Sequence, residues 1–386
     1  MSFVKRILKK LFPIVFLKEC FLWYNKIKLR TLDALFYPHY KISEDSFLRD
    51  FYLIPVQEYK ISLIKELSSS VTPYFKFWEL WKDHEYIVHL QKPCVIEPAT
   101  GWAFVEGNKL VSESLGLGHA PHVRKPGLFS FFIKKRRTTK FSKIVSLRDT
   151  GEDNYFHFYN DVIGKIFFLK NEGIDLNDYT FIVHEKLWEK NYFQSIYNSS
   201  TFLKSLKWHV QKDDFVEANE SIFCKPLTHK PEIFQEISSQ VLREFSQAGR
   251  RIYLKRSRSR LRFVENEEEI ENVLINLGFQ VVDAALLNLE EQVRLFSSVR
   301  FLVAIHGAGL TNIFFRQGQP LSMLEIFPYP ENGCLPFHYI MLAQQNKFRY
   351  NAMIGERSSR NFSGGFNVNP VKLKEEVIRI LEYDET

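Results

Sequence analysis

"LVAIHGAGLTNIFF", residues 302–315, opens with four apolar residues, turns at His306 with Gly307 and Gly309 close behind, and resumes as an apolar pattern of helical spacing. Strand, glycine turn and helix are the reading this order supports. Two glycines within three positions mark a place where backbone must approach something closely.

Outward from the turn the same alternation continues. Upstream lie a strand in "RRIYLKR" (250–256), a helix in "NEEEIENVLINLGF" (266–279), a strand in "QVVDA" (280–284), a helix in "LEEQVRLFSSV" (289–299) and the strand "FLVAI" (301–305). Downstream, "TNIFFRQ" (311–317) reads as a helix and "SMLEIF" (322–327) as a strand. Further upstream, "DNYFHFYNDVIGKIFFLKNEGI" (153–174) sets Phe156, Tyr159, Ile163 and Ile166 at helical spacing, with Asp153 or Asn154 as N-cap and Gly173 past the end. "YTFIVHE" (179–185) reads as a strand and "PEIFQEISSQVLREFSQAG" (231–249) as a helix. Strands alternating with helices of this length predict an α/β fold with a parallel sheet and crossovers on both faces, a Rossmann-like arrangement.

The chain has 386 residues, more than one core usually serves, so two domains are expected. Residues 41–235 would form the first and 236–386 the second, preceded by a basic amphipathic segment, 1–40. Between 41 and 150 the pattern is irregular, with short strand-like runs "YIVHL" and "WAFVEG" and a basic "KKRRTTK" at 134–140 that reads as a solvated loop. In residues 1–30, eight Lys or Arg stand against one Glu, and the longest charge-free run, Leu11 to Leu17, is seven residues. That is far short of the ~20 a spanning helix needs. Val4, Ile7, Leu8 and Leu11 share a helical face, as in a helix lying on an anionic leaflet. A basic helix packed on its own domain fits equally well.

A net charge of +7 suits an acidic partner: nucleic acid, anionic lipid or a phosphorylated small molecule. Cys20, Cys94, Cys224 and Cys334 form no C-x-x-C, which speaks against a zinc site or a disulfide framework and for a reducing compartment. His119 and His122 make an isolated H-x-x-H, and His184, His209, His229 and His338 have no constellation around them in the sequence.

In a parallel sheet, ligands bind beyond the carboxyl ends of the strands, where His306 to Asn312 would lie. The amides that open the next helix, with the positive end of its dipole, favour an anion. A bare strand-to-helix turn would also use glycine, so the neighbouring features weigh. "RRIYLKRSRSRLR" (250–262) carries seven Lys or Arg and no acid at the same expected edge, Asn266 opens a helix there, and Glu325 offers a carboxylate for ribose hydroxyls. Together these describe a nucleoside diphosphate. A dinucleotide fingerprint, a Walker A loop and a G-x-S-x-G elbow are all missing, and so is D-x-D, which leaves Arg and Lys to neutralise the phosphates without a metal or other cofactor.

These residues also resemble a known family. "EEQVRLFSSVRFLVAIHGAGLTNIFF", the distal "LEIFP" and the upstream "KRSRSRLRFVENEEE" are similar to glycosyltransferase family 61, over roughly residues 150–330. The family includes bacterial surface-polysaccharide enzymes, plant xylan-decorating transferases and animal O-linked N-acetylglucosaminyltransferases. The resemblance implies a GT-B-like architecture, two Rossmann-like domains facing a cleft with the nucleotide on the C-terminal one, and inverting transfer from a UDP-sugar without a bound metal. Carried over residue by residue, it implies donor contacts at Arg256, Arg262, Asn266, His306, Gly307, Ala308, Gly309, Leu310, Thr311, Asn312 and Glu325. "NYFHFYND" resembles the family's Asn-x-x-His helix start at Asn154 and His157, and departs from the usual form after His157, where an aliphatic stretch leading to proline is more common.

Inverting transfer needs a general base for the acceptor hydroxyl and a cationic or dipolar setting for the departing diphosphate. His157, in the first turn of its helix where the dipole disfavours imidazolium, is the candidate base, and Asp161 at i+4 could orient it. A capping histidine on a solvated face fits as well, and Asp153 or Asp161 acting alone stays open. The expected partners are a nucleotide-sugar donor and a glycan or lipid-linked glycan acceptor, in capsule or lipopolysaccharide synthesis. The expected place is the cytoplasm, peripheral to the inner membrane face if residues 1–30 bind lipid. The competing reading is a basic nucleic-acid- or phosphate-binding protein without catalysis. It would spread its charge over an open face, whereas here a basic segment is concentrated beside a glycine turn and a carboxylate.

Overall fold

The computed structural model describes residues 39–40, 51–53, 57–60, 71–75, 80–83, 85–106, 109–116, 137–149, 151–241, 249–258, 261–316, 318–330, 333–358 and 364–382. The amphipathic pattern of residues 1–30, the H-x-x-H at His119 and His122 and the first half of the basic run at 134–140 lie outside them. No helix among the described residues is long and apolar enough to cross a membrane. The described residues divide into two units, one formed from those at 58–82 and 241–382, the other from those at 39–57 and 83–240.

In the C-terminal unit the four expected strands form, β1 (Arg250–Leu254), β2 (Gln280–Val282), β3 (Val299–Ile305) and β4 (Ser322–Phe327), and a fifth not expected from the sequence, β5 (Arg349–Ile354), joins them. All neighbouring pairs are parallel, and the order across the sheet is β2-β1-β3-β4-β5. All six residues of β4 are buried, as a sheet covered on both faces requires. Phe301, Val303 and Ile305 meet Leu324 and Ile326 on one face, beneath Ile270 and Leu274 of helix Glu267–Asn276 and Leu373 and Val377 of helix Pro370–Glu382. Leu302 and Ala304 are also buried and, by strand alternation, face the other layer. There helices Leu289–Ser297 and His338–Gln345 pack on the segment Ala308–Arg316. Asn288 and Glu291 close the start of the first of these with a capping box.

That segment is a 3-10 helix beginning inside the glycine turn, rather than an α-helix starting at Thr311. Leu310 N donates to Gly307 O at 3.0 Å, and Asn312 Nδ2 donates to Gly309 O at 3.1 Å. A side chain thereby takes a carbonyl near the start of the segment, and the backbone stays tightly wound.

Among the described residues the N-terminal unit carries a ten-stranded mixed sheet. Its centre is the eleven-residue strand Phe215–Lys225, parallel to Thr138–Ser146 on one side and antiparallel to Tyr86–Leu90 and Cys94–Ile96 on the other. Thr180–His184 runs parallel beside Thr138–Ser146, with Lys207–Gln211 outside it. The strand expected in 179–185 therefore belongs to this mixed sheet and not to the parallel one. Thr138–Ser146, the helical segment 155–171 and Thr180–His184 form a βαβ unit whose core includes Phe167, Phe168, Ile182 and Val145, all fully buried.

Candidate functional site

The order 2-1-3-4-5 reverses direction between β1 and β3, and in such sheets ligands settle outside the strand ends at that reversal. A cleft opens there, lined by Lys255 and Arg256 after β1, Asp283 and Ala284 after β2, and Gly307 and Gly309 after β3. Arg256 Nε donates to Leu261 O at 2.5 Å. Lys255 Nζ pairs with Glu271 Oε1 at 2.8 Å, a partner that raises its pKa.

The glycines of the opening stretch are needed for proximity and not for unusual dihedrals, since neither has positive φ. A Cβ on Gly307 would overlap Arg256 Nη1, so the end of the guanidinium lies close against the bare backbone. At Gly309 an added Cβ would stand 3.3 Å from Leu254 Cδ2, a tight packing contact. Ala308 is half-buried, whereas Leu310, Thr311 and Asn312 are fully buried. Asn312 Nδ2 donates to Gln292 Oε1 at 2.8 Å and Thr311 Oγ1 lies 3.4 Å from Tyr339 Oη. These three hold the turn in place from behind.

His306 is buried against Phe327, ring centroids 4.9 Å apart and nearly parallel. Its Nδ1 lies 2.5 Å from Glu325 Oε1, and Tyr350 Oη donates to Glu325 Oε2 at 2.6 Å. Glu325 is the fourth residue of β4 and fully buried, so its carboxylate serves a histidine and a tyrosine instead of facing the cleft. Burial, and then the charge of Glu325, push the Tyr350 phenol well above its usual pKa. Arg262 sits in the left-handed region at φ 68 and donates its backbone N–H to Gly364 O at 2.6 Å. Burial lowers its pKa against the opposing charges of Tyr339 and Glu325, which puts it electrostatically with the His306 group. Asn266 does something different. Its Oδ1 accepts from Val368 N at 3.0 Å and its Nδ2 donates to Val368 O at 2.9 Å, tying the start of one helix to the approach of another.

In the N-terminal unit, Asn154 caps the helix as expected, its Oδ1 accepting from Phe156 N at 3.0 Å. After His157 the helix widens into a π-helical segment, Phe158–Ile163, before regaining α geometry at Gly164. Gly164 N reaches back five residues to Tyr159 O, and a Cβ there would come 2.8 Å from that carbonyl. Such widened turns are rare and concentrate at functional sites. His157 Nδ1 meets Asp161 Oδ2 at 2.6 Å, and Asn160 Nδ2 donates to Asp161 Oδ1 at 2.6 Å. Burial pulls the His157 pKa down, but the hydrogen bond and charge of Asp161, helped by Asp149, outweigh it and leave it raised. The pair therefore overrides the helix dipole, which alone would keep the ring neutral.

Asp149 connects this pair to a second cleft, of about 130 Å³, at the carboxyl ends of Thr138–Ser146 and Thr180–His184. Thr100, Glu152, Asp153, His184 and Lys186 complete its polar lining. His184, isolated in the sequence, acquires a constellation here: its Nδ1 accepts from Lys186 N at 2.9 Å, and burial, followed by the charge of Arg148, lowers its pKa to about 4. The Nδ1 lone pair is occupied, so the neutral ring presents Nε2–H as a donor. Arg148 is itself buried, its Nε 3.1 Å from both Glu152 oxygens and its Nη2 3.1 Å from Pro98 O. Among the described residues no group of three or more His, Cys, Asp and Glu could hold a metal ion.

Residues 155–322 match the model of the family described as Glycosyltransferase 61. The match spans less than half of the chain and includes both the His157–Asp161 pair and the cleft at the sheet reversal, and it bears out the resemblance over that segment. No curated protein matches the chain.

Proposed function

We propose that the protein is an inverting glycosyltransferase that moves a sugar from a nucleoside diphosphate, in the first instance a UDP-sugar, to a hydroxyl of a glycan, and that it needs no metal ion. The observation that carries this reading is the convergence of Arg256, the bare Gly307 backbone and Asp283 at the reversal point of a parallel sheet, within the family-matched segment.

The donor phosphates would lie against Arg256 and the amides of the turn, with Lys255 adding charge. His306, its Nδ1 occupied by Glu325, has Nε2 left for a ligand, and Arg262 reinforces the positive field. This is the fixed, partly desolvated cationic setting that a departing diphosphate requires. As the acceptor oxygen bonds to the anomeric carbon and the bond from that carbon to the diphosphate breaks, the hydroxyl proton passes to His157. Asp161 then stabilises the imidazolium. Donor binding on the C-terminal unit and acceptor binding on the N-terminal unit, in a GT-B architecture, belong to the same proposal. So do a lipid-linked or surface-polysaccharide acceptor and a cytoplasmic, membrane-peripheral position.

Incubation with radiolabelled UDP-sugars, with and without EDTA, tests the reading. Slow release of UDP is expected in both conditions. Release that depends on Mg²⁺ would remove the metal-independent mechanism. No release from any donor, together with no UDP binding, would return the protein to the class of non-catalytic phosphate binders.

A further inference from the structure

Asp283 is not in the turn, the basic segment or the β4 carboxylate, and nothing in its sequence neighbourhood singles it out. It stands directly after β2, the strand that lies beside β1 at the reversal of the sheet, and lines the same cleft as Arg256, Gly307 and Gly309. Its Oδ1 accepts from Ala285 N at 2.9 Å, capping the short turn that follows. Among the described residues its Oδ2 has no hydrogen-bond partner. One oxygen is thus spent on holding the carboxylate still and the other is left for a ligand.

A carboxylate is the wrong group to place against a phosphate and the right one to place against a pair of hydroxyls, whose two O–H donors it can accept together. With Arg256 and the glycine turn on one side of the cleft and Asp283 on another, an anion and a diol are separated within a single ligand. Parallel doubly wound sheets achieve the same separation with an acidic residue near the end of the second strand. Glu325, the carboxylate the sequence offers for this purpose, is fully buried and held by His306 and Tyr350.

We infer that Asp283 Oδ2 accepts hydrogen bonds from the ribose hydroxyls of the donor nucleotide, making Asp283 the residue that distinguishes a ribonucleoside diphosphate from a bare diphosphate. The inference rests on the donor reading above. Asp283→Asn tests it cleanly, because asparagine caps a turn as well as aspartate does and changes only the free oxygen to an amide. Calorimetric titration of wild type and variant with UDP, 2′-deoxy-UDP and inorganic pyrophosphate is the experiment. UDP affinity should fall about tenfold or more in the variant, 2′-deoxy-UDP should lose less, and pyrophosphate should bind as well as before or better. Equal losses for UDP and pyrophosphate would mean that Asp283 only shapes the turn, and equal losses for UDP and 2′-deoxy-UDP would remove the 2′-hydroxyl contact. Unchanged UDP binding by the variant would overturn this inference alone. Wild-type protein that binds pyrophosphate but not UDP would overturn the nucleotide reading beneath it.

Discussion

Glu325 Oε1 lies 2.5 Å from His306 Nδ1, and the carboxylate so engaged has no exposed surface. A buried carboxylate on a histidine fixes the orientation of the ring, the arrangement that triad enzymes use to orient an imidazole. Glu325→Gln should therefore lower the rate of UDP release by about tenfold or more, within the range measured for loss of a charge-assisted hydrogen bond. His306→Gln should do the same, and the double variant should fall no further than His306→Gln alone. Additive losses would show that Glu325 acts on the ligand itself.

Gly307 and Gly309 should respond differently to the same small change. In Gly307→Ala the new methyl displaces the end of a flexible arginine, so the melting temperature should move little while affinity for UDP and pyrophosphate drops together. In Gly309→Ala the methyl meets Leu254 at a distance that small adjustments relieve, and both affinities should stay within a few-fold. Thermal denaturation beside calorimetry on the two variants separates these outcomes, and a Gly309 variant that suffers more than the Gly307 variant would put the phosphate elsewhere in the turn.

His157→Ala should reduce kcat by about 10²–10⁴, the usual contribution of a positioned general base, while UDP affinity stays near wild type. Asp161→Asn removes the hydrogen bond and charge that hold the His157 pKa up, so the acidic limb of the activity profile should move to lower pH. A His157→Ala enzyme within a few-fold of wild type would transfer the role to another residue.

The two histidines near Asp149 should titrate in opposite directions from the ordinary imidazole value of about 6.5. In nuclear magnetic resonance titrations of the folded protein His157 should change state above that value, and His184 at about 4. The consequences for stability have opposite signs. What His157 contributes is fully present below its unfolded pKa and fades as pH rises through its folded one. For His184 the unfolded chain takes up a proton that the folded protein refuses, so stability falls as the pH drops from about 6.5 towards 4. His184→Gln should flatten that part of the acid-denaturation curve relative to wild type, and an identical curve would show the ring to be solvated.

Four strands of the parallel sheet were legible because each is a short apolar run beside an amphipathic helix, and because Gly307 and Gly309 punctuate the chain where β3 ends; β5 was not, since Arg349 and Asn351 break its apolar run. Asn154 as a cap and the His157–Asp161 pair were legible because both lie within one helical turn. The strand Phe215–Lys225 was not. Its polar Glu217, Asn219, Glu220 and Ser221 interrupt any apolar alternation, and it is held by pairing on both sides with segments distant in sequence. Asp283 and His184 were missed for the same physical reason. A lone acid after "QVV" and a lone histidine after "TFIV" carry no local signature, and only the sheet order brings their strand ends beside other polar groups. Glu325 misled because its place near the end of an apolar strand looks the same whether the carboxylate faces solvent or a buried histidine.

The widened turn at Phe158–Ile163 makes the position of the imidazole a matter of counting. An α-helix advances about 100° per residue, so a turn that accommodates one extra residue rotates everything before it relative to the apolar face that follows. Ile166, Phe167 and Phe168 anchor the later turns in the core, which leaves Asn154 and His157 facing where the surplus residue sends them. Loss of Val162 would leave His157 and Asp161 chemically intact and swing both to another side of the helix relative to the core that follows. Here a change in chain length, more readily than any substitution, would turn the His157–Asp161 pair away from Asp149.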